Sequence, residues 1–70
     1  MSEKLRAEMK LQNVKAREVA LAAGIDPTNF SRKMNGDRDW RLGECYAVLD
    51  YLELPRARLP YYFPPKERSE

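Results

Sequence analysis

The chain holds no histidine and a single cysteine, Cys45, so both the usual general base at neutral pH and the usual zinc ligand are missing. Ser2, Ser31 and Ser69 have no nearby base to activate their hydroxyls, and no glycine-rich loop is spaced to cradle a phosphate. One thiol cannot form an internal disulfide framework. Catalysis, a resident metal and a cofactor are therefore not expected. The side chains that could do chemistry are instead recognition groups clustered between Pro27 and Gly36: Thr28, Asn29, Ser31, Arg32, Lys33 and Asn35, with no acid among them. Arginine matches guanine O6 and N7, asparagine matches adenine, and threonine offers a hydroxyl and a methyl group. Lysine and serine suit phosphate oxygens.

Four helical segments, read from apolar period and punctuation, must position these groups. The first covers Glu3 to Leu11, with Leu5 and Met9 at i, i+4 on a narrow apolar stripe. The second covers Lys15 to Ala23, where Ala16, Val19, Ala20 and Ala23 make one face of small side chains that a second helix can approach closely. Gly24 ends it as a C′ glycine would. Asp26 is a preferred N-cap and Pro27 is at home at a first helical position, so a third helix starts there and runs to Asn35, closed by Gly36. Two short helices joined by a tight turn containing glycine are a helix-turn-helix. The fourth segment, Leu42 to Leu54, carries Leu42, Cys45, Leu49 and Leu52 on one stripe, flanked by Tyr46 and Val48, before Pro55 stops it. On that stripe Cys45 is a small apolar filler rather than a sensor thiol. No strand alternation and no internal repeat is present, so the expected class is all-α: a compact bundle of four to five short helices.

At about 100° per residue, Phe30 and Met34 set the inward direction of the third helix. Thr28, Arg32 and Asn35 then point about 140–200° away from it, with Asn29 and Lys33 on one shoulder and Ser31 on the other. A solvated face more commonly mixes in acids, as the first two segments do. This face is the expected contact with double-stranded DNA.

Seventy residues leave room for one domain, taken as residues 1–65 with a solvated tail at 66–70. The formal net charge of +2 is too small to indicate a partner by itself. Its order says more: Arg32, Lys33, Arg38 and Arg41 stand against Asp37 and Asp39 in the middle, and Glu44, Asp50 and Glu53 follow without a basic residue between 44 and 54. That acidic segment fits either an activating patch or the solvent face of the fourth helix. No apolar run reaches the roughly 20 residues a membrane helix needs. No leader pattern opens the chain, and a free thiol fits a reducing cytoplasm. Trp40, just ahead of the fourth helix, fits an insertion wedge or interface anchor, but a single tryptophan before a helix more often staples that helix to the core, which is the expected role. Tyr61, Tyr62 and Phe63 fit two roles, completing a small core or forming a self-association surface.

The runs Ala16-Arg17-Glu18-Val19-Ala20, Ala23-Gly24-Ile25-Asp26 and Phe30-Ser31-Arg32-Lys33-Met34-Asn35-Gly36 resemble the lambda-repressor-like helix-turn-helix family of phage repressors and Cro proteins. Trp40, Leu42 and the stretch from Tyr46 to Leu52 also resemble phage CII-type activators. The similarity spans residues 4 to 59. It implies that the third helix lies in the major groove and the second crosses the backbone above it. By position, Thr28, Asn29 and Arg32 would face bases, and Lys33 and Asn35 would lie nearer phosphates. Ala16 stands where the family often has a phosphate-bracing glutamine, so Lys15 and Arg17 would serve instead. Pro27 stands where many members carry a base-reading glutamine, which shifts specificity onto Thr28 and Arg32. Ser31 and Arg38 complete the expected backbone contacts.

The resulting expectation is a sequence-specific regulator of phage or prophage type in the bacterial cytoplasm. It would bind operator DNA as a homodimer, because one helix makes few contacts. Repression follows from occupying an operator that overlaps a promoter, whereas activation needs a further contact to polymerase. The alternative is a protein-binding adaptor that keeps the helix-turn-helix without binding DNA, using the aromatic cluster at 61–63.

Overall fold

The computed structural model describes residues 3–67, and among these it is an all-α bundle without strands. The elements are α1 (Glu3–Leu11), α2 (Ala16–Ala23), α3 (Pro27–Met34), α4 (Leu42–Tyr51), a 3-10 turn at Arg56–Arg58, the single-turn α5 (Leu59–Tyr62) and a last 3-10 turn at Pro65–Glu67. α2 packs on both α3 and α4, while α5 packs on α1 and α4.

Each of the four longer helices ends the same way. One or two residues past the last helical residue the backbone turns left-handed, and two backbone N–H groups reach back to otherwise orphaned carbonyls. For α1, Asn13 has φ 58°, with Asn13 N donating to Lys10 O (3.1 Å) and Val14 N to Met9 O (3.0 Å). For α2, Gly24 has φ 71°, with Gly24 N to Leu21 O (3.1 Å) and Ile25 N to Ala20 O (2.8 Å). For α3, Gly36 has φ 86°, with Gly36 N to Lys33 O (3.2 Å) and Asp37 N to Arg32 O (2.8 Å). For α4 the left-handed residue is Glu53 at φ 58°, with Glu53 N to Asp50 O (3.1 Å) and Leu54 N to Leu49 O (2.9 Å). This stop ends α4 at Tyr51, short of the Leu54 that apolar spacing suggests, and turns Leu54 back against the core.

The helix starts also follow a common device. Lys15 is the extended N-cap of α2 rather than its first residue, and its N–H donates to Glu18 Oε1 (2.9 Å). Arg41 N donates likewise to Glu44 Oε1 (3.0 Å) at the start of α4. In both, a glutamate at the third helical position returns to the N-cap and also favours the positive end of the helix dipole. Asp26 caps α3 through its side chain, accepting from Thr28 N at 3.0 Å.

The core gathers Leu5 and Met9 of α1, Val19 and Ala20 of α2, Phe30 and Met34 of α3, and Cys45, Val48, Leu49 and Leu52 from α4 and its C-cap. The small-residue face of α2 is narrower than its spacing suggests, since Ala16 is exposed and Ala23 half-buried. Trp40 is fully buried, edge-on to Phe30 at 5.5 Å and to Phe63 at 4.9 Å between ring centroids. It therefore joins the helix-turn-helix to the C-terminal segment. Its indole Nε1 has no hydrogen-bond partner among the described residues. The tail does not run free: Leu59, Tyr62 and Phe63 are core residues. A chain this short buries too little surface without them, which is why the aromatic segment folds back. Lys66 is exposed on the last turn, and the remainder of the expected solvated tail, 68–70, lies outside the described residues. No helix among the described residues is long and apolar enough to cross a membrane.

Candidate nucleic-acid interface

The turn between α2 and α3 is three residues long, Gly24 to Asp26, and each has a distinct task. Gly24 supplies the left-handed backbone, Ile25 plugs the core, and Asp26 starts α3. With Phe30 and Met34 anchored inward, the opposite face of α3 is turned to solvent. Thr28, Asn29, Ser31, Arg32 and Asn35 are all exposed there. Lys15 and Arg17 are exposed at the start of α2, and Arg38 is exposed beyond α3. The structure thus brings the expected base-reading and backbone-contacting groups onto accessible surface, with one exception.

That exception is Lys33. Its ammonium lies 3.1 Å from Glu44 Oε1 and donates to the Asp39 carbonyl at 2.9 Å, and its side chain is only 11% exposed. With two of its three donors on intramolecular acceptors and little of the side chain exposed, Lys33 serves first as a clamp between α3 and α4 and is the least accessible of the expected backbone contacts. Glu44 accepts from Lys33 and from Arg41 N through the same oxygen, which couples the start of α4 to the end of α3. Sequence spacing cannot reveal this, because Lys33 and Glu44 meet only after the chain has turned through Trp40.

Asn35 is exposed but tethered. Its Oδ1 accepts from Arg6 Nη2 at 2.8 Å, and the same nitrogen donates to the Met34 carbonyl at 3.4 Å. Arg6 of α1 therefore braces the C-terminal end of α3, where a cation also opposes the negative pole of the helix. Nothing in the spacing of α1 singles Arg6 out for this. The one signal is that a cation stands next to the buried stripe at Leu5 and Met9.

The acidic segment is largely engaged. Glu44 is taken by Lys33, and Asp50 pairs with Arg56 through two contacts, Nε to Oδ1 (3.2 Å) and Nη2 to Oδ2 (2.7 Å). This pair holds the Asp50 carboxyl below its ordinary value, and the Arg56 guanidinium also lies over the Tyr46 ring at 4.7 Å. Of the three acids, Glu53 alone is exposed without a partner among the described residues, and it lies in the left-handed stop past the end of α4.

The expected self-association cluster at 61–63 is divided by the fold. Phe63 is fully buried and Tyr62 nearly so, because both complete the core, and they are thereby removed from any surface role in the folded monomer. Burial, reinforced by the nearby Glu8 charge, pushes the Tyr62 hydroxyl pKa up. Tyr61 remains, 48% exposed, with Lys4 Nζ 4.9 Å from its ring centroid. It shares a shallow groove with Ala7 and Leu11 of α1, and Leu11 is 81% exposed.

No protein-family profile matches the chain, and no curated protein and no solved structure shows a significant match to it. What fold and surface define is a class: a small all-α bundle that holds a short polar helix outward on a helix-turn-helix. No group of three or more acidic, cysteine or histidine side chains that could hold a metal occurs among the described residues.

Proposed function

We propose that this chain is a sequence-specific DNA-binding regulator that inserts α3 into the major groove. The observation that carries the reading is the outward face of α3, where Thr28, Asn29 and Arg32 stand exposed on a helix that contains no carboxylate. Thr28, Asn29 and Arg32 read base edges, and Lys15, Arg17, Ser31, Asn35 and Arg38 set the register on phosphates. A two-fold homodimer on half-sites about one helical turn apart supplies the contacts that one short helix lacks. Of the exposed apolar side chains Leu11, Leu21, Tyr51 and Tyr61, Leu11 and Tyr61 share one groove, and that groove is the surface assigned to the pairing. The regulator is of the phage or prophage repressor type, acts in the bacterial cytoplasm, and represses by occupying an operator that overlaps a promoter. Against the adaptor alternative stands the burial of Tyr62 and Phe63, which removes most of the aromatic contact it needs.

Selection of bound duplexes from a randomised library, with the full chain, tests the reading. A recovered motif with two related half-sites is the expected result. Recovery of no enriched sequence at low salt would overturn it.

A further inference from the structure

A cleft of about 340 Å³ lies between α1, the start of α2 and the flank of α3. Its floor is apolar, formed by Met9, Val14, Phe30 and Met34. Its rim carries two cations of α1, Arg6 and Lys10, and two hydrogen-bonding side chains, Asn13 and Ser31, and no carboxylate lines it among the described residues. The volume falls at the lower end of small-molecule sites, which combine a mostly apolar wall with a few placed polar groups. Arg6 is already held in place by Asn35 and the Met34 carbonyl, and among the described residues only its Nη2 is so engaged. Nε and Nη1 remain to form charge-assisted hydrogen bonds with an anion, and the side chain is ordered before the ligand arrives.

We propose that this cleft binds a small organic carboxylate with a short apolar body. The carboxylate meets Arg6 and Lys10, with Asn13 and Ser31 as further donors, and the hydrocarbon part covers the sulfur and ring atoms of the floor. An inorganic anion would use the rim and leave the floor wet. A neutral apolar molecule would use the floor and leave the cations unpaired. The ligand would rest against Ser31 of α3 and against the arginine that braces the end of that helix, which makes the site suited to an effector. The binding itself is a property of the free protein and is independent of the DNA-reading assignment.

The test is titration of the full chain with hexanoate, hexanamide and inorganic phosphate, followed by amide chemical shifts. Hexanoate should give saturable shifts at Asn13, Val14 and Ser31 with a Kd on the order of 1 mM, as expected for a ligand of so few atoms. Hexanamide should bind about tenfold more weakly, for loss of the charge-assisted contacts. Phosphate should not saturate these amides. Lys10→Met should weaken hexanoate about tenfold, and Ala16→Trp, at an exposed wall position, should abolish binding by filling the cleft. Absence of saturable shifts with hexanoate, equal binding of the amide, phosphate saturating the same amides at similar affinity, or undiminished binding in Ala16→Trp would each overturn the proposal.

Discussion

The Lys33 ammonium lies 3.1 Å from the Glu44 carboxylate, and the two side chains are 11% and 22% exposed. Lys33 also donates to the Asp39 carbonyl, so it fastens the end of α3, the following turn and the start of α4 at one point. A lysine on a polar helix face thus serves the fold, although Arg32 and Ser31, one and two positions before it, face solvent.

Lys33→Ala should therefore act on stability. The expected loss is about 1–2 kcal/mol, for a charge-assisted hydrogen bond and a partly desolvated ion pair. Chemical denaturation measures it. The salt dependence of DNA binding by the folded fraction should keep its slope, whereas Arg38→Ala should reduce that slope by about one phosphate contact. A flattened slope in Lys33→Ala would return this residue to the DNA surface.

Arg32 behaves oppositely, being exposed and without a partner among the described residues. Arg32→Ala should leave the melting temperature unchanged and cost about 1–3 kcal/mol on the selected site, with relaxed preference at one base position. Competition binding against a panel of single-base variants reads both effects. Equal binding of all duplexes by parent and variant would remove α3 from the groove.

The left-handed Glu53 identifies a stabilising substitution. A residue with a Cβ is strained at φ 58°, and glycine is not. Glu53→Gly should raise stability by about 0.5–1 kcal/mol, the strain relieved being partly offset by greater freedom of the unfolded chain. Gly24→Ala should cost about 1 kcal/mol although a Cβ there meets no atom within 4 Å, because the penalty is conformational rather than steric contact. Thermal melts of the two variants should move in opposite directions.

Phe63 and Tyr61 separate core from surface within three residues. Phe63→Ala should cost about 3–5 kcal/mol and leave little folded protein, since it opens a cavity beside Trp40 in a small core. Tyr61→Ala should stay within about 0.5 kcal/mol of the parent, and sedimentation should show weaker self-association if Tyr61 lies on the dimer surface.

The raised Tyr62 pKa carries a sign. At pH well below 10.0, the ordinary tyrosine value, folded and unfolded chains both keep the proton and the contribution is complete. As pH rises through that value the unfolded chain ionises first, so stability falls. Melting temperatures compared between pH 8 and pH 11 should drop less in Tyr62→Phe than in the parent. The Asp50 shift has the opposite sense: its contribution is present above the ordinary value of 3.8 and lost in acid as the Arg56 pair is protonated away. Arg56→Gln should bring the Asp50 titration back toward that ordinary value.

Local chemistry in the chain determined much of this architecture. The i, i+3, i+4 stripes, the Gly24 and Gly36 stops and the Asp26-Pro27 start are interactions within one helical turn, so they are legible without a fold. They placed α1 to α3 within a residue of their observed limits and turned Thr28, Asn29 and Arg32 outward. The glutamate in a left-handed stop after α4 was not legible, because apolar spacing at Leu52 and Leu54 imitates a longer helix. The roles settled by contacts across the chain were decided only in three dimensions. Lys33 meets Glu44, Arg6 meets Asn35, and Trp40 meets Phe63 across separations that no local periodicity encodes. Those contacts drew one cation in from the outward face of α3, placed another beside a cleft, and took Tyr62 and Phe63 from the surface into the core. The physical reason is scarcity: a chain of seventy residues has few large side chains, and burying them takes precedence over any surface role their sequence position suggests.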